Sequence, residues 1–140
     1  MIRLLTLVFR RPGFASALGL SASGVGIALD PRRAGDVMRM PPMSARGVTE
    51  MRAGVGGTFA ALGAWAMLRG TRDAYTAVGV TWLGAAAVRA ISMETDKPEK
   101  DATFWAFLGL ETVLGVAGVL AGDRGSGRKA KRASAAPTPG

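Results

Sequence analysis

Residues 102–122 read ATFWAFLGLETVLGVAGVLAG, an apolar run that holds a single carboxylate, Glu111. About 20 predominantly apolar residues in a helix cross the hydrocarbon core of a bilayer, so this run predicts a membrane span. On such a helix Glu111, Gly115, Gly118 and Gly122 follow one another at i, i+4, i+7 and i+11 and share a narrow face. A carboxylate at the head of a glycine stripe indicates contact with another helix that carries a cation, rather than with lipid.

Three further apolar segments precede this run, with charged stretches between them. Spans are expected at about 13–29, 48–68, 74–93 and 102–122, joined by short loops, the first of which covers 30–48. Twenty glycines with little aromatic content suit helices that approach closely in lipid. The sequence therefore predicts an all-α fold, an integral membrane four-helix transmembrane bundle that occupies 13–122 as one domain.

Both ends of the chain are basic. Residues 1–12 place Arg3 and Arg10 on one helical face of an apolar segment, which indicates a short interfacial helix on the membrane surface; a signal peptide is the alternative. Residues 123–140 are rich in Arg, Lys, Ala, Ser and Pro, so we expect a disordered polybasic tail.

The positive charge has a preferred side. With four spans, the side that bears both termini holds more Lys and Arg than the other, and the whole formal net charge of +8 falls there. This bias predicts a multi-pass protein of the cell inner (plasma) membrane with both termini cytoplasmic. A polybasic tail beside a span attracts anionic lipid headgroups, so no nucleic-acid partner is needed to explain the charge, although that alternative stays open.

Four charged residues at or within the expected spans point to an intramembrane polar cluster. Arg89 and Glu111 lie inside apolar segments, and Glu50 and Arg52 lie at the mouth of the second span. An unpaired charge in mid-bilayer costs about 2.5–3.5 kcal/mol on insertion scales, so such residues usually pair or line a pathway. We expect the four to form one neutral cluster in the outer half of the bundle, serving either to fix which helices meet or to line a small cavity.

Small residues indicate where the helices pack against one another. The expected packing glycines are Gly19, Gly26, Gly56, Gly57, Gly63, Gly115, Gly118 and Gly122. The pair Gly118 and Gly122 suits packing inside the bundle and packing between protomers equally well, so a homo-oligomer or a membrane partner protein stays open.

The chemistry of the side chains restricts function. The chain has neither cysteine nor histidine, which removes disulfides, thiolate and imidazole metal sites and histidine-based catalysis. With no nucleophile–base pair visible, the sequence disfavours an enzyme and predicts no catalytic residue, metal site or cofactor.

The order of several motifs resembles a known family. Thr49-Glu50-Met51-Arg52-Ala53-x-x-Gly56-Gly57, then Ala87-Val88-Arg89, then Glu111-x-Val113-Leu114 are similar to a bacterial family of small four-helix membrane proteins, catalogued as domain of unknown function 4345. The resemblance covers roughly residues 15–122 and implies a fold and a membrane location, without an established activity. The chain departs from the family pattern at Gly54 and at Asp96-Lys97.

Two functions follow from these patterns. The first is a structural or interaction protein of the membrane, in contact with the bilayer throughout and with anionic lipid at its tail. The alternative is a small proton-coupled transporter, or a lipid- or metabolite-binding membrane protein, that uses Glu111 as its protonatable group.

Overall fold

The computed structural model of the protein describes the backbone of residues 11–133 and the side chains of residues 11–121. This part of the chain is helical and contains no strand. The elements in chain order are α1 (Pro12–Leu29), α2 (Pro31–Val37), α3 (Ala45–Glu50), a π-helical segment (Met51–Gly57), α4 (Thr58–Arg69), α5 (Arg72–Thr95) and α6 (Ala102–Ala133).

Three of the helices are long and apolar enough to cross a membrane: Pro12–Leu29, Arg72–Thr95 and the part Ala102–Ala121 of the last one. They match the first, third and fourth expected spans closely, so the all-helical architecture is confirmed. The second expected span, 48–68, falls in α3, the π segment and α4, and none of these elements alone reaches the 18 residues of the shortest candidate span.

The ends of the chain differ from expectation where the structure describes them. Helix α6 continues to Ala133, whereas the sequence predicted disorder from residue 123, so the disordered tail is not confirmed. Most of the expected interfacial segment 1–12, and the final residues 134–140, lie outside the described residues.

The expected loop 30–48 contains a short helix, α2. Its first turn is stabilised by Asp30, whose carboxylate accepts a hydrogen bond from the backbone N–H of Arg33 at 3.1 Å, and by Pro31 at the first helical position. Pro41 and Pro42 lie in non-helical backbone after it, as expected from their sequence.

The core is small and lies where α1, α4 and α5 meet. Its buried hydrophobic residues are Ala17, Leu20, Ala66, Ala74, Val78 and Trp82. The indole Nε1 of Trp82 donates to the carbonyl of Ser16 at 3.3 Å, which ties α5 to α1. Many large apolar side chains point outward instead; Leu29 and Leu68 are among them, an arrangement that suits a hydrocarbon environment.

Five of the expected glycines lie against other helices. A methyl group added at any of them would come within 2.5–2.8 Å of a neighbouring helix; they are Gly19, Gly56, Gly63, Gly115 and Gly118. The expectation was wrong for Gly26, where the added group would meet nothing within 4 Å, and for Gly57, where it would meet only Arg52 of the same π segment. Gly122 lies beyond the described side chains.

Two further close helix contacts involve glycines that were not among the expected ones, Gly24 and Gly79. A methyl group on Gly24 of α1 would overlap the backbone of Ala60 on α4. At Gly79 of α5 it would lie 2.6 Å from the backbone nitrogen of Val119 and 2.7 Å from the carbonyl oxygen of Gly115, both on α6. Helices α5 and α6 therefore meet backbone to backbone.

Gly70 ends α4 in the left-handed conformation, with φ of 58°, and its N–H bonds the carbonyl of Ala66. We expect Gly70→Ala to lower the free energy of unfolding by about 1 kcal/mol, since a Cβ is disfavoured at that backbone angle. Chemical unfolding in detergent micelles measures this. Gly109→Ala is the matched control, because a methyl group there meets nothing within 4 Å; an equal loss in both variants would contradict the assignment.

Candidate functional site

Arg89 and Glu111 form a two-point ion pair between α5 and α6. The guanidinium donates from Nε to Oε2 of Glu111 at 2.9 Å and from Nη2 to Oε1 at 2.7 Å. Both oxygens of the carboxylate are therefore bonded in a geometry that gives strong, directional pairing. The Glu111 side chain is only 7% exposed and that of Arg89 is 30% exposed. The arginine of the pair is therefore accessible from the surface, and the glutamate is buried.

Two phenylalanines of α6 flank the arginine. The guanidinium carbon lies 5.7 Å from the ring centroid of Phe104 and 5.4 Å from that of Phe107. Such distances allow cation–π attraction, which is largest where water is excluded. The rings and Glu111 together hold the guanidinium in one position, while its Nη1 donates no hydrogen bond to any described residue.

The structure does not bring the other two members of the expected cluster to this pair. Glu50 lies on the surface and approaches Arg46, one helical turn earlier, at 3.6 Å. Arg52 is exposed and pairs with no residue of the described region. The π segment that carries Arg52 packs on α1, away from the seam between α5 and α6, which is why the four-residue cluster reduces to two residues.

A cavity of about 660 Å³ opens beside the pair. Its wall is formed by the end of α2 with the residues that follow, by the last turns of α5, and by the first turns of α6. Arg89 contributes to this wall and Glu111 does not. A molecule in the cavity can therefore contact Arg89 and not Glu111.

Arg39 forms part of the wall of this cavity and bridges two carboxylates. Its Nη1 lies 2.6 Å from Glu99 and its Nη2 lies 2.8 Å from Asp101. Asp101 also caps α6, since its Oδ1 accepts the N–H of Phe104 at 2.8 Å. The bridge connects the segment after α2 to the loop between α5 and α6. Sequence reasoning missed it, although three acidic residues near Pro98 offered partners for a loop arginine.

A smaller cavity of about 280 Å³ adjoins the first and shares Val37, Met38 and Phe107 with it. Most of its wall is apolar, from Ile27 and Gly26 of α1 and the underside of α2. The two cavities give a chamber of mixed polar and apolar lining next to an apolar one, at the end of the molecule where α2 lies.

No family model, curated protein or solved structure matches the chain. The similarity to the small four-helix membrane family therefore stays a prediction, and the geometry of the site carries the functional argument.

Proposed function

We propose that this chain is a four-span integral membrane protein in which the Arg89–Glu111 pair has a structural role, fixing α5 against α6. The observation that carries the proposal is the pair itself: a buried carboxylate bonded at both oxygens between two helices long enough to span a bilayer. Charged groups in such a place usually satisfy one another, and a pair of this geometry specifies which helix faces meet.

The exposed surface supports a membrane location. Large apolar side chains lie outside the core on all three candidate spans; Val25, Val80, Val88, Leu110 and Val113 are examples. A water-soluble monomer rarely exposes so many large apolar side chains along its long helices. In the proposed arrangement α3, the π segment and α4 together form the second of the four spans, the α3–π–α4 rod. Both termini are in the cytoplasm, and the basic tail contacts anionic lipid headgroups of the inner membrane.

Proton-coupled transport through Glu111 receives less support. Both of its oxygens already accept hydrogen bonds from Arg89, and its side chain does not line the adjoining cavity. A proton carrier must exchange with water on at least one side of the membrane. The cavity favours a different second function, the binding of a ligand at Arg89.

The four-span arrangement predicts where single cysteines react. The natural chain has none, so Met43→Cys, Asp73→Cys and Lys100→Cys each provide one label site at an exposed position. In sealed right-side-out vesicles we expect a membrane-impermeant maleimide to label positions 43 and 100, and to label position 73 only after permeabilisation.

The cysteine-free chain is the control for background labelling. If position 73 reacts from the same side as position 43, the α3–π–α4 rod does not cross the membrane and the arrangement has three spans. Recovery of the chain in the aqueous fraction without detergent would overturn the membrane assignment altogether.

A further inference from the structure

We infer that the cavity beside Arg89 binds the headgroup of a zwitterionic phospholipid that carries a primary ammonium, namely phosphatidylethanolamine. The inference rests on the proposed membrane location. Here Arg89, rather than Glu111, is the residue that contacts the ligand.

The arginine supplies the site for an anionic group. Its Nε and Nη2 are used by Glu111, which leaves Nη1 without a hydrogen-bond partner among the described residues. The guanidinium is held in place by Phe104 and Phe107, so little side-chain freedom is lost when a ligand binds. A phosphate oxygen is the natural acceptor for a fixed, partly buried arginine donor.

The charges of the whole cavity wall disfavour a purely anionic ligand. It contains two cations, Arg39 and Arg89, and three carboxylates, Asp96, Glu99 and Asp101. Arg39 is engaged with Glu99 and Asp101. The Asp96 carboxylate bonds no described residue, so it is available to a positive group. A headgroup whose phosphate bonds Arg89 and whose ammonium pairs with Asp96 satisfies both of these side chains.

The dimensions and the neighbouring chamber fit a lipid rather than a small polar solute. The cavity beside Arg89 measures about 660 Å³, within the range of small-molecule sites, and its wall carries both charged and apolar side chains. The adjoining cavity of about 280 Å³ is lined mainly by apolar side chains and can take the first carbons of an acyl chain. Asp96 and Pro98 belong to the connection between two spans, which is the level at which headgroups lie.

The test is competitive retention of lipids by the full chain. The protein is reconstituted in nanodiscs that contain equal parts of phosphatidylethanolamine, phosphatidylglycerol and phosphatidylcholine, then extracted in mild detergent and examined by native mass spectrometry. We expect phosphatidylethanolamine to be retained about tenfold over each of the others, since one charge-assisted hydrogen bond is worth about a factor of ten.

Asp96→Asn should abolish this preference without loss of helicity, because the side chain is exposed. Glu94→Gln is the matched control: it removes an exposed carboxylate from the same end of α5, outside the cavity wall, and should leave the preference unchanged. Equal retention of the three lipids, a preference for phosphatidylglycerol, or an equal effect of the two variants would overturn the inference.

Two further outcomes identify the source of a failure. Displacement of the lipid by soluble glycerophosphoethanolamine at similar concentration would assign the cavity to a metabolite and refute the lipid assignment. A chain that shows the expected cysteine labelling but no preference among the lipids refutes this inference alone and leaves the proposed membrane protein standing.

Discussion

Replacing Arg89 or Glu111 singly by Gln is expected to lower the free energy of unfolding by about 2–3 kcal/mol, because each change leaves one partner of a buried pair uncompensated. The double variant Arg89→Gln/Glu111→Gln should lose little more than the worse single variant. The resulting coupling energy should be about 2 kcal/mol, close to the smaller single loss and at the top of the range for polar contacts between membrane helices. Unfolding of the four proteins in mixed detergent micelles gives the complete cycle.

The chain offers its own control for that experiment. Arg46 and Glu50 are also oppositely charged, but their nitrogen–oxygen distance is 3.6 Å and their side chains are 89% and 68% exposed. The same cycle at this surface pair should give a coupling energy below about 0.5 kcal/mol. Strictly additive losses at Arg89 and Glu111, or equal coupling at the two pairs, would contradict a structural role for the buried pair.

Gly79→Val should be the most damaging single substitution in α5, with a loss of about 3 kcal/mol or more in the free energy of unfolding. The added atoms would meet backbone groups of Gly115 and Val119, and a backbone cannot move aside as a flexible side chain does. The seam between α5 and α6 would have to open, which would also separate Arg89 from Glu111. Thermal unfolding in detergent and protease resistance of the reconstituted protein measure the change.

Gly84→Val on the same helix is the matched control. A methyl group at Gly84 meets nothing within 4 Å, so the variant should differ from the natural chain by less than about 1 kcal/mol. If the two variants unfold at the same temperature, α5 and α6 do not pack through Gly79.

The pairing of Arg89 with Glu111 could be predicted because both charges lie inside apolar segments. Arg89 and Glu111 each interrupt a long apolar run, and a charge in that setting calls for a partner on another helix. Glu111 lies deeper from the connection between α5 and α6 than Arg89 does, a difference that the long arginine side chain can span, and the structure joins them. The three candidate spans follow from the same contrast between apolar runs and charged gaps.

The π segment explains why Arg52 was misplaced. The sequence predicts a regular α-helical span over 48–68 with Arg52 at its mouth, pointing to the polar cluster. The hydrogen bonds of a π-helix run from i to i+5, and the buried residues of this segment are Met51 and Gly56, whereas Arg52 is exposed. A periodic pattern carries no sign of such a local change in winding.

The Arg39 bridge and α2 depend on contacts that sequence spacing does not encode. Arg39 and its two partners are about 60 residues apart in the chain and meet because the segment after α2 and the connection after α5 line the same cavity. The Asp30-Pro31 pair is a helix-start signal at the beginning of the segment 30–48, which was expected to be a loop.

Half of the buried residues in the core cluster are alanines, and that composition affects how assembly responds to temperature. Ala17, Ala66 and Ala74 have no rotamers to lose when the helices come together, so side-chain ordering opposes their association very little. The entropic penalty that grows on warming is correspondingly small. Contacts among α1, α4 and α5 should therefore weaken less with heat than those of a bundle held by leucine and methionine.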